Sequence, residues 1–288
     1  MENPRMQRIS PPLRRRHLAQ LLRALRSNRD LTLTDAVARL RPLGRAWSRT
    51  KLSRIETGET LPMPGDLADL LDVYEAGPER RTECVELARQ ARQKPWWEEY
   101  DAVVGEYVAI ETEARSARSW QPLLVPGLLQ TAAYAREIFA AGQHRFSPQL
   151  VDLQLRARLA RQRELLGCDP PFTLHGVIAE QVLHRRIGTR DTMKEQLHRL
   201  AVLAGWPNVT VQVLEEGVGA HPGLCGSFVL LSLPGGADYV FFETPPDERV
   251  TDKVETVREF ERRFECLAAL ALTPEKSAAL VSEILKEL

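Results

Sequence analysis

The apolar positions near the start of the chain recur with a helical period. Leu18, Leu21, Leu22 and Leu25 stand at i, i+3, i+4 and i+7, one stripe of an amphipathic helix. Thr32 opens a second helix, and Asp35 three residues later gives it a capping-box-like start. Ala36, Val37 and Leu40 supply its inner face, and Pro42 and Gly44 break it. Ser48 is placed to cap a third helix over about Arg49–Thr57, with Gly58 as a natural residue just past its end. Behind Pro62 and Pro64 the stripe recurs as Leu67, Leu70, Leu71 and Tyr74. After the Gly77-Pro78 turn, residues 79–94 predict a fifth helix with Val85, Leu87, Ala88 and Ala91, ended by Lys94-Pro95.

From there the pattern is mixed. Helices are predicted at 106–119, 131–141 and 148–166, a strand at 172–179, and a helix at 191–205. β-type runs follow at 208–214, 226–232 and 238–243, and Leu233-Pro234-Gly235-Gly236 joins the last two as a hairpin. Helices at 252–271 and 274–287 close the chain. The fold class expected is α+β. An N-terminal all-α helix-turn-helix bundle precedes a mostly helical α+β domain with a small, largely antiparallel sheet.

The composition leaves room for a normal core: 43% of the 288 residues are hydrophobic and 27% charged. No apolar run reaches the roughly 20 residues that span a bilayer. The first residues, MENPRMQRISPPLRRRH, carry basic side chains but no apolar segment of a secretory signal, so a cytoplasmic protein with no membrane contact is expected. Cys84, Cys168, Cys225 and Cys266 form no CxxC pair, and the six histidines show no ligand spacing. Neither a metal nor a cofactor is expected.

The net charge of zero hides an asymmetry. Residues 1–54 hold fourteen Arg and Lys against Glu2, Asp30 and Asp35, whereas 55–113 lean acidic. A neutral protein with one basic end is drawn by that end to a polyanion. On a wheel of about 100° per residue, Leu52 and Ile55 mark the buried face of the third helix. Arg49, Thr50, Ser53 and Arg54 share the opposite face, and Lys51 flanks it. Arginine donates two hydrogen bonds to guanine, and hydroxyls meet bases or phosphates. The N-terminal half of such a helix enters the major groove. Ser48, Arg49, Thr50, Lys51, Ser53 and Arg54 are therefore the candidate DNA contacts, with Arg15 as a backbone contact from the first helix.

Residues 48–58, SRTKLSRIETG, resemble the reading helix of the xenobiotic-response-element (XRE) helix-turn-helix family. Further stretches narrow the resemblance. They include LLVPGLLQT within 110–137, RARLARQRELL at 156–166, VIAEQVL at 177–183, PNVTVQVL at 207–214 and GAHPGLCGSFVLL at 219–231. Together they are similar to the Scr-type, antitoxin-like transcriptional regulators of actinobacteria. The resemblance implies a DNA-binding regulator from a Streptomyces-like organism, often encoded beside a small partner protein. Two departures stand out. LRPLGRAWS is about four residues longer than the usual turn between the second and third helices, which predicts a loose loop or a continued second helix. PPDERVTD replaces the usual aromatic strand near the C-terminus, which predicts a missing or frayed final strand.

The expected organisation is a flexible basic arm at 1–11, an XRE-type DNA-binding domain at 12–94, and a regulatory, partner-binding and dimerisation domain at 95–288. The expected partners are double-stranded DNA bearing an inverted repeat, a second copy of the chain, and the small protein encoded nearby. Two other readings of the C-terminal domain compete with docking. In the first it senses a small-molecule effector: GAHPGLCG has an open backbone around His221, and Trp96, Trp97 and Trp120 are candidates for a pocket wall or a domain seam. In the second it is a cryptic enzyme. Glu180 and Glu243 end β-type runs, and His221 stands four residues before Cys225. No GxSxG, HExxH, Walker or GxGxxG motif supports catalysis, so no catalytic residue is expected.

Overall fold

Start and stop signals place the N-terminal helices in the computed structural model, which describes residues 8–142, 147–167, 171–234, 236, 238–244 and 247–288. The helices are α1 (Pro11–Ser27), α2 (Leu33–Leu40), α3 (Arg49–Glu56), α4 (Pro64–Val73) and α5 (Pro78–Gln90). Residues 1–7 of the expected arm lie outside the described residues, and Ser10 and Pro11 at the start of α1 are already buried. Thr32 and Asp35 form a full capping box on α2. Ser48 accepts from the Lys51 N–H at 3.1 Å to cap α3. Gly58 follows α3 at φ +78°, a backbone conformation that side-chain-bearing residues resist.

These helices enclose one core that includes Leu18, Leu22, Ala36, Leu40, Leu52, Ile55, Leu70 and Tyr74. The expected inner face of the fifth helix is corrected at one position. Val85 is 53% exposed, because Cys84, Leu87 and Ala88 form the buried stripe. The long connection after α2 combines a tight continuation of the helix with an irregular stretch over residues 44–48. Arg41–Leu43 form a single 3-10 turn that Gly44 ends at φ +80°.

The chain divides into two compact units, Gln7–Glu98 and one containing Glu99–Leu288. The second holds α6 (Glu106–Glu113), β1 (Ser116–Gln121), α7 (Ala132–Ala140), α8 (Pro148–Leu166), β2 (Thr173–Ala179), α9 (Gln181–His184), α10 (Arg190–Leu203), β3 (Val209–Leu214), β4 (Phe228–Ser232), β5 (Asp238–Thr244), β6 (Asp247–Thr251), α11 (Val254–Leu270) and α12 (Pro274–Glu287). Among the described residues the strands form one sheet in the order β3-β2-β1-β4-β5-β6. The pairings β1–β4, β4–β5 and β5–β6 are antiparallel, and β1–β2 and β2–β3 are parallel.

Two expectations fail here. The helix predicted at 106–119 stops at Glu113, and Ser116–Gln121 is a central strand. SARSWQ has no β-branched residue, so local preference does not mark it. Ladder bonds on both edges and the complete burial of Trp120 outweigh that preference. The final strand is also present. Asp247–Thr251 pairs with β5 from Thr244↔Asp247 to Val240↔Thr251, while Pro245 and Pro246 lie outside the described residues. An edge strand needs backbone pairing more than apolar side chains.

Helix α11 covers one face of the sheet, with Val257, Phe264 and Leu267 against Trp120, Val177, Leu214, Phe228 and Val240. The opposite edge strand, β3, is tied off by the turn into α12. Leu272 N–H donates to Val213 O, the Ser277 hydroxyl accepts from Val213 N–H, and Gln212 donates to the carbonyls of Ala268 and Leu272. These bonds occupy groups that would otherwise invite another strand.

The buried turn Val125–Thr131 has irregular backbone, and three glutamines satisfy it. Gln130 donates to Val125 O, Gln162 to Gly127 O and Gln130 O, and Gln196 to Leu129 O. Gln196 also accepts from Thr131 N–H at 2.8 Å. This is the LLVPGLLQT stretch, and its backbone needs these partners because water does not reach it.

Candidate nucleic-acid interface

Helix α3 turns its apolar side inward and its polar side to solvent. Leu52 and Ile55 are 0% and 1% exposed. Ser48, Arg49, Thr50 and Arg54 are exposed, and Ser53 and Lys51 are half-buried. The Arg49 side chain makes no ion pair or hydrogen bond among the described residues. Arg54 meets Glu59 at 3.3 Å with both side chains largely in water, a pair that opens at little cost. The Ser48 hydroxyl is engaged in capping. Arg15 is exposed on α1, and Gly58 packs close to α1 at Arg15 and Arg16, so that cation flanks the end of α3.

What holds α3 in this attitude is a buried polar cluster. Glu56, on the inward side four residues after Leu52, accepts from Arg26 Nε at 2.9 Å and Nη2 at 2.8 Å. The Tyr74 hydroxyl donates to the same carboxylate at 2.9 Å. Arg26 also donates to Leu31 O, so α1, α3 and the end of α4 converge on one carboxylate. Burial pushes the Tyr74 phenol well above its ordinary pKa, which keeps it a neutral donor. The hydrogen bond to Glu56 raises the Arg26 pKa further.

At the other end of α3, Lys51 Nζ pairs with the buried Asp66 at 2.8 Å and lies 4.4 Å over the Trp47 ring. Trp47 and Leu52, at N′ and N4, are buried in the same core, as in a hydrophobic staple. Arg45 pairs with Asp69 at 2.8 Å, and its guanidinium occupies the space above Gly65. Glu56, Arg26 and Asp66 escape a reading of local pattern because their partners are distant in sequence. The one available signal is a carboxylate on the leucine side of α3.

The candidates of the second unit do not come together. Glu180 Oε2 accepts from Glu216 N–H at 2.9 Å and so braces a loop. His221 Nδ1 accepts from Gly223 N–H at 3.2 Å, and its ring stands edge-on to Trp120 at 5.4 Å. Glu243 pairs with Glu248 in the β5–β6 ladder, and its side chain lies outside the described residues. Trp120 lines neither pocket nor seam: it is 0% exposed in the sheet core, and its indole donates to Gly223 O at 2.9 Å. Trp96 packs edge-on against Trp97 at 5.5 Å. Within GAHPGLCG, Gly223 is buried against Trp120, while Gly219, Ala220, Leu224, Cys225 and Gly226 stay exposed. A Cβ on Gly223 would lie 2.6 Å from the Trp120 ring. Gly223→Ala is therefore expected to destabilise the second unit by about 1–3 kcal/mol, read as a lower midpoint in urea. An unchanged midpoint would show that the loop yields freely.

Burial pushes the Cys84 thiol up to about 11, as for an inert core cysteine. No helix among the described residues is long and apolar enough to cross a membrane.

Residues 17–84 match the family described as a helix-turn-helix domain, and residues 104–283 match the domain of unknown function DUF5753. No curated protein and no solved structure matches the chain. The first unit, in which α3 follows α2 across an eight-residue connection, is the DNA-binding head of a helix-turn-helix regulator. With more than half of its length matched by the second family, the chain belongs to the DUF5753 family and carries a helix-turn-helix domain ahead of that region.

Proposed function

We propose that the protein is a sequence-specific transcriptional regulator that reads the major groove with Arg49, Thr50, Ser53 and Arg54 of α3. The observation that carries this reading is the exposed Arg49–Arg54 face on a helix whose other side is clamped by Arg26, Tyr74 and Glu56. A reading helix needs free donors outward and a fixed angle inward. Lys51, paired with Asp66, serves chiefly to seat the start of α3, and Ser48 acts through its cap. Arg15 contacts phosphate and adds affinity without sequence information.

The operator is an inverted repeat bound by a homodimer, since one short helix reads only a short half-site and two-fold pairing doubles the contacts. The DUF5753 region docks a small partner protein or a second copy. The resemblance to XRE-type, antitoxin-like regulators of actinobacteria supports this assignment of roles.

Selection of bound duplexes from a random pool, followed by mobility-shift titration, tests the reading. Enrichment of an inverted repeat with half-sites about 10 base pairs apart is expected. Equal affinity for every duplex at physiological salt would overturn it. Arg15→Ala is expected to weaken all duplexes alike and to lower the salt slope by about one. A loss confined to the selected site would instead place Arg15 at a base.

A further inference from the structure

A cleft of about 780 Å³ opens in the second unit, between α8 and the end of α10. Arg156 and Arg163 from α8, Arg199 from α10, and the rings of Tyr100 and Trp206 line it. Some guanidinium groups elsewhere on this unit meet carboxylates, as Arg118 with Glu261 at 2.7 Å, Arg136 with Asp152 at 2.6 Å and Arg161 with the buried Glu111 at 2.7 Å, while exposed ones such as Arg185, Arg186 and Arg258 stand in water with no ion pair among the described residues. In the cleft, Arg156, Arg163 and Arg199 form no ion pair among the described residues.

Arg199 is the most telling of the three. It is half-buried, and its one acceptor among the described residues is the neutral amide of Gln162 at 3.0 Å. Its Nε is buried without a hydrogen-bond partner among those residues. Burial disfavours its charge, and Glu195, one turn earlier on α10, offsets this in part without pairing to it. A second carboxylate, Glu99, bonds the Tyr100 hydroxyl. A half-buried guanidinium with no carboxylate paired to it costs free energy that an arriving anion would offset. Gln162 fixes the floor, because its amide also donates to the backbone of the Val125–Thr131 turn. Beside these charges Trp206 is 40% exposed, an apolar plate at the edge of the cleft. A neighbouring hollow shares Arg156, but there Arg136 is neutralised by Asp152.

We propose that this cleft binds a small organic anion carrying an aromatic or apolar group, with its charge among Arg156, Arg163 and Arg199 and its ring against Trp206. The size suits such a ligand, since pockets for small molecules run from about 300 to 1,000 Å³. Arginine donors fit carboxylate, phosphate or sulfonate oxygens, and a cation beside an indole suits a flat ring.

Titrating the full-length chain with 8-anilinonaphthalene-1-sulfonate, a fluorescent aromatic sulfonate, tests this. One saturable site is expected. Arg199→Met keeps the aliphatic stem and removes the charge, and is expected to weaken binding about tenfold or more. Arg156 and Arg163 are exposed, so Arg156→Ala/Arg163→Ala is expected to fold as the parent chain does and to show a loss of similar order. N-phenyl-1-naphthylamine, which lacks the sulfonate, is expected to bind more weakly than the sulfonate. Three results would each overturn the proposal: no saturable site, full affinity in both arginine variants, or equal affinity for the neutral amine. The readout is probe fluorescence alone, so this inference stands or falls apart from DNA recognition.

Discussion

Arg49→Ala/Arg54→Ala is expected to bind its selected duplex about a hundredfold more weakly, a loss well beyond the smaller, salt-dependent drop that removing two cations causes on random duplex. Arg49 has no partner among the described residues, and Arg54 holds only a solvent-exposed pair with Glu59. Neither substitution breaks a buried contact, so the fold is expected to survive. Each base-contacting arginine carries about 1–3 kcal/mol, and two losses of about 1.4 kcal/mol multiply to a hundredfold. Arg80→Ala on α5 removes a comparable exposed charge, paired with Glu83, and serves as the charge control. Its effect on the selected duplex is expected to be slight. If the double variant kept parental affinity for the selected site, the reading face would lie elsewhere on the head.

Glu56→Ala carries the second large effect, and it acts through stability. The Glu56 and Arg26 side chains are 4% and 13% exposed, and Tyr74 is 1% exposed. Removing the carboxylate strands a guanidinium and a phenol that both point at the vacated space. Breaking a buried pair from one side costs about 3–5 kcal/mol. Hydrogen exchange along α3 reads that cost locally, because protection there reports the opening free energy of the head. A loss of at least a hundredfold in protection is expected, with DNA affinity falling alongside. Glu56→Gln, which keeps the shape and two hydrogen-bonding atoms, is expected to fall between the two. Parental protection in Glu56→Ala would show that the apolar core alone orients α3.

Much of the head could be read from neighbouring residues. The Thr32–Asp35 box, the Ser48 cap and Gly58 each act within a few positions, and the structure contains all three. The outward display of Arg49, Thr50 and Arg54 follows from the helical repeat once Leu52 and Ile55 are inside. The second unit was less legible. SARSWQ continues a helical pattern and becomes a strand only because β2 and β4 flank it. The loop around His221 has the glycines of a ligand cradle, yet one of them, Gly223, is buried against Trp120, about a hundred residues earlier in the chain. Nothing near Arg199 in sequence says that it lacks a carboxylate.

The sequence by itself determined where the helices of the head begin, which side of α3 is apolar, and that the basic charge gathers at one end, although α5 stops at Gln90, short of the expected 94. Those properties come from contacts spanning one or two turns, and the order of residues contains them in full. The tertiary structure alone decided the angle at which α3 is held, the central place of β1, and the cluster of arginines without paired carboxylates between α8 and α10. Each depends on partners separated by tens of residues, whose meeting follows from packing the whole unit rather than from any local preference.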